Sequence, residues 1–142
     1  MRPEISELLR TTGMQLPGLA APTGYAQASA GLITGMLMIS AAHYDRAAEI
    51  RVMDNGEMRA LFGTLAGGVK DAGLRASLEA AATSRDESIR VSALNAANAE
   101  LRKLLIALQT HLEDAGDVDG QKQVWAVLQA SAERRMLSVA MG

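Results

Sequence analysis

Residues 91–112 read VSALNAANAELRKLLIALQTHL. Within them Val91, Leu94, Asn98, Leu101, Leu105, Leu108 and Leu112 recur at alternating steps of three and four. An α-helix turns once in about 3.6 residues, so these side chains make one stripe along it, and a stripe this apolar is buried. A strand, with its period of two, would scatter them over both faces. Just upstream, Ser84-Arg85-Asp86-Glu87 has capping-box spacing. The expected helix therefore opens there and runs to about Asp114, where Gly116 stops it.

Working outward, a second long helix is expected from about Gly24 to Met53. One face reads Tyr25, Ser29, Leu32, Met36, Ile39, His43, Arg46, Ile50 and Met53, again at steps of four and three. Between residues 28 and 42 the other faces are also small or apolar. A helix apolar all round is buried on several sides, either at the centre of a bundle or against another subunit. A short first helix is expected from Pro3, well suited to the first helical position, to about Met14. A loop follows through Pro17, Gly18 and Pro22, and Thr23 caps the next helix. Asp54-Asn55-Gly56 reads as a break, with Asp54 and Glu57 at capping-box spacing. A short helix then reaches Leu65, and Gly67-Gly68 stops it. Asp71 is expected to cap another, Ala72 to Ala82. Asp119 is expected to cap the last helix, with Trp125, Leu128, Ala132, Met136 and Val139 facing inward. The fold class is all-α: residues 1–142 as a single-domain multi-helix bundle, with three long helices and two or three short ones.

Composition narrows the functional classes. The chain has 142 residues, 49% of them hydrophobic, no cysteine and a formal net charge of −2. Absence of cysteine excludes disulfides, thiolate metal sites and a cysteine nucleophile, and fits a reducing, cytoplasmic setting. The charge balance and the scarcity of aromatics give nucleic-acid binding no footing. The opening residues, with Glu4 and Glu7, do not read as a signal peptide. No charge falls between Arg10 and Asp45. Prolines interrupt that stretch and its strongly apolar part is only Leu32 to Ile39, too short for a membrane span. A soluble protein without membrane contact is expected.

Each chemical motif has a plainer explanation. Gly63 to Lys70 misplaces the lysine of a phosphate-binding loop and puts Asp71 where a hydroxyl belongs. His43 lies on the second helix's stripe among Met36, Ile39 and Ile50, suited either to acid–base work or to a hydrogen-bonded core role. Neither Glu-x-x-His nor His-Glu-x-x-His occurs, so no metal site is assigned. Asp45 and Glu49 share a face, but one with Arg46 and Arg51 nearby. His111 sits among acids near a helix end and reads as surface. Asn98 interrupts an apolar stripe, as residues that fix register or oligomeric state do. Arg134-Arg135 suits a helix C-terminus or an anion. Gly31 and Gly35 form a small-xxx-small pair that costs roughly 1 kcal/mol each against alanine. Close approach of a helix of the same chain, a second subunit or a ligand would offset it.

The first functional expectation is a non-catalytic association module, self-associating as a homodimer and open to another protein partner. Its interface would carry Gly31, Leu32, Gly35 and Ile39. The second is a small-molecule binder or minor enzyme whose pocket holds His43, Met36, Tyr25 and Asn98. No catalytic residue and no cofactor is assigned.

Overall fold

The computed structural model describes residues 5–19 and 23–136, all but the side chain of Asp45. Pro3, Pro22 and Val139 therefore lie outside the described residues, as does the Asp45 side of the Asp45–Glu49 pair. The described residues form an all-α chain of five α-helices and one short 3-10 turn, without strands. Helix α1 spans Ile5–Leu19, α2 Gly24–Leu65, α3 Ala72–Thr83, α4 Val91–Ala115 and α5 Val118–Arg135. Three are long, with 42 residues in α2, 25 in α4 and 18 in α5. Among the described residues no helix is long and apolar enough to cross a membrane.

The chain divides into two compact units at Ala47/Ala48. The first unit contains α1 and the first half of α2. Helix α1 continues through Pro17, beyond the expected stop at Met14. Proline has no N–H, so the Gly13 carbonyl loses its helical donor. The Thr34 hydroxyl of α2 lies 2.9 Å from that carbonyl and 2.8 Å from Ala30 O, and its single proton serves one or the other. A Cβ on Gly13 would sit 3.4 Å from Leu37 Cβ. Pro17 frees an acceptor, Gly13 gives room, and Thr34 supplies the donor.

The second unit has the larger core. Met58, Leu61 and Phe62 of α2, Val69, Leu78 of α3 and Val124 of α5 are buried with Leu101, Leu105, Leu108 and Leu112 of α4. The stripe expected on α4 is buried from Leu94 to Leu112, Asn98 included, whereas Val91 at its start is exposed. Its C-terminus is a Schellman motif: Gly116 is left-handed at φ 67°, its N–H bonds Glu113 O, and Asp117 N–H bonds Leu112 O. Asp71 caps α3, accepting from Leu74 N–H at 2.6 Å.

Three local expectations are corrected. Asp54-Asn55-Gly56 does not break α2, because the Asp54 and Asn55 side chains are taken by distant partners instead of their own backbone. Helix α4 starts at Val91, not at Ser84. Ser84 ends α3 by donating to Ala81 O, and Asp86 is bonded by Arg59 and Asn55, so neither is left to cap. Asp117, not Asp119, caps α5, accepting from Gly120 N–H at 2.9 Å. A Cβ on Gly120 would stand 2.8 Å from both Leu112 Cδ2 and Asp117 Oδ2, so a side chain there would have to displace the Leu112 methyl and the capping carboxylate. The buried line on α5 becomes Gly120, Val124 and Ser131, while Trp125 is 61% exposed and Ala132 and Met136 are exposed too. Of the described residues expected to face inward, Leu128 packs against the core.

Candidate functional site

The first half of α2 carries two stripes. Ala30, Thr34, Leu37 and Ala41 are buried or half-buried, and Thr34 and Leu37 are the residues that meet Gly13 of α1. At 100° per residue, Tyr25, Leu32, Met36, Ile39 and His43 cluster roughly 160° away. All five are exposed: Tyr25 by 86%, Leu32 by 71%, Met36 by 68%, Ile39 by 47%, and His43 likewise. Of the stripe expected to face inward, Ile50 is buried and Ser29 half-buried, but the stretch from Leu32 to His43 faces outward, because α2 is apolar all round and α1 takes the opposite side. Gly31 and Gly35 flank this outward stripe, and a Cβ at either would meet nothing within 4 Å. The close approach of helices inside this unit occurs at Gly13 instead.

Tyr25, Met36 and His43 therefore share one face of α2. Asn98 does not join them; it belongs to the second unit, where its Nδ2 donates to Asn55 Oδ1 at 2.8 Å. His43 is not a core histidine. His111 is half-buried and accepts from Lys70 N–H at 3.3 Å.

A buried polar network is the feature that sequence reasoning missed. Asn55 is fully buried and donates to Asp86 Oδ1 at 3.1 Å and Leu94 O at 3.3 Å. Arg59 donates to Asp86 at 2.8 Å and to Ser84 Oγ at 3.0 Å. The hydrogen bond from Arg59, with that from Asn55, holds the Asp86 carboxyl below its ordinary value, against the opposing effect of burial. Asp54, 2% exposed, receives Arg134 Nη2 at 2.9 Å, lies 3.7 Å from Arg51 Nη1 and is bonded by Arg135. Arg134 also grips Glu57, through Nη1 at 2.7 Å and Nη2 at 2.5 Å. That bond pushes the Arg134 guanidinium up from its ordinary value, whereas burial pushes Arg135 down. Among the described residues every buried side-chain nitrogen and oxygen has a partner. The Arg134-Arg135 pair is thus primarily an anchor for carboxylates of α2, and Asp54 and Glu57 are not a capping pair. The legible signal was Asp54 itself: it continues the α2 stripe from Ile50 to Met58, and an acid on a core stripe requires a cation.

Among the described residues no group of three or more histidine, aspartate or glutamate side chains is placed to hold a metal. No known protein family matches the chain, and no match is found among curated proteins or solved structures.

Proposed function

We propose that this chain is a non-catalytic helical module that works by self-association, a second copy covering the outward stripe of α2. What supports this reading is one observation: Gly31 and Gly35 expose bare backbone to open space beside Leu32, Met36 and Ile39. Glycines in mid-helix are destabilising unless something approaches closely, and none of the described residues approaches there. Small residues flanked by large apolar ones let two identical helices cross at short range. A two-fold axis sets the same face against itself. From residue 11 to 44 the chain bears no formal charge, so two copies meet there without like-charge repulsion. Burying a leucine, isoleucine or methionine fully is worth about 1.5–3 kcal/mol each.

The test is sedimentation or native mass spectrometry at two concentrations, on the natural chain and on Leu32→Asp and Met36→Asp. The expected result is a dimer for the natural chain and soluble, fully helical monomers for both variants. A natural chain that stays monomeric at both concentrations would sink the reading. So would variants that fail to fold, since the stripe would then be intrachain core.

A further inference from the structure

The second unit holds a cleft of about 380 Å³ lined by Arg51, Asn98, Ala99, Arg102 and Arg135. Among the described residues no carboxylate lines it. Asp54, the acid that engages Arg135 and Arg51, is buried and does not reach its wall. Four guanidiniums gather here, Arg51, Arg102, Arg134 and Arg135, against the two carboxylates Asp54 and Glu57. Arg102 is exposed and makes no ion pair or hydrogen bond among the described residues. The surplus is two positive charges, and the arginines repel one another across the cleft.

We infer that this cleft binds a small phosphate-bearing solute, with Arg51, Arg102 and Arg135 donating to its oxygens. A guanidinium presents a planar fork of N–H donors that matches a phosphate two oxygens at a time. A phosphate monoester carries about −1.5 to −2 charges at pH 7, which matches the surplus. The cleft is wide and open to solvent, so it leaves room for a substituent beyond a bare phosphate. The burial of Arg135 and the neighbouring Arg51, Arg102 and Arg134 charges all bear on its guanidinium, and a bound dianion relieves that strain. This site is independent of self-association, since none of its residues lies on the outward stripe of α2.

The probe is pyrophosphate, titrated into the full chain at constant ionic strength and followed by the arginine Nε–H resonances. Saturable shifts are expected at Arg51, Arg102 and Arg135 and not at Arg90. Arg102→Gln should weaken binding about tenfold or more with an unchanged melting temperature. Lys103→Gln, the same charge change one residue along α4, should alter it little. The assignment is overturned by shifts that do not saturate, by equal losses from the two substitutions, or by acetate binding as tightly as pyrophosphate.

Discussion

Replacing Asp54 with asparagine isolates a charge without changing a shape. In the natural chain this carboxylate is 2% exposed and faces three guanidiniums. After the change Arg134 keeps Glu57, so its charge remains balanced. Arg135 and Arg51 lose their carboxylate and are left facing each other. Removing one member of a buried ion pair costs about 3–5 kcal/mol. Arg135 and Arg51 keep roughly a third of their side-chain surface in water, which puts the cost at the lower end, about 3 kcal/mol. Against a total stability of about 5–15 kcal/mol that is a large fraction. At this chain length it corresponds to a fall in melting temperature of roughly 10 °C. Urea unfolding followed by circular dichroism measures it, at one protein concentration for all variants. The double substitution Asp54→Asn/Arg135→Gln should recover part of the loss, because it removes the stranded cation; coupling of about 1–2 kcal/mol is expected between groups in contact. A loss below about 1 kcal/mol, or a double variant no better than additive, would refute the assignment of Asp54 as the neutralising centre.

Acid should weaken the second unit through Asp86. Its folded-state value is depressed below 3.8, so its contribution is complete above that pH and drains away as pH falls through the lower folded value; Asp86→Asn should flatten this part of an acid-unfolding profile. Gly56 sits within α2 with open space where a Cβ would stand, so Gly56→Ala should stabilise the chain by about 0.5–1 kcal/mol in urea unfolding. Thr34→Val keeps the volume and removes the donor to Gly13 O. It should cost about 1 kcal/mol and speed amide exchange in α1 while leaving α4 unchanged.

What could be read in the sequence was whatever is decided locally. The α4 stripe, the Gly116 stop and the Asp71 cap each depend on neighbours within a turn or two, and each stands in the structure. The helix through Asp54-Asn55-Gly56 was illegible because its breakers are neutralised by Asn98, Arg134 and Arg135, far along the chain. Ser84 and Asp86 misled in the same manner, as their capping groups are spent on Ala81 and Arg59. On α5 the cap lay two residues earlier than expected, and the buried line runs through the small residues Gly120, Val124 and Ser131, which a search for large apolar side chains such as Trp125 passes over. The stripe of Tyr25, Leu32, Met36, Ile39 and His43 was recognised as a stripe, but periodicity does not say which side a partner takes. On a helix apolar all round, the Pro17–Gly13–Thr34 arrangement chose the other side for α1.

The distance in sequence between Asp54 and its cations bears on how the protein is made. Arg134 lies 80 residues after Asp54. At about 5–20 residues per second, a ribosome needs roughly 4–16 s to span that gap. Through that interval Asp54 has Arg51 one turn away but lacks both α5 arginines, and it stands as a hydrated acid in the middle of the stripe from Ile50 to Leu61. A charge so placed discourages the nascent stripe from pairing with other chains, as gatekeeper residues do beside apolar segments. Arrival of α5 then converts the same carboxylate from a solubilising group into an internal tie, so vectorial synthesis and final closure use one residue for opposite ends.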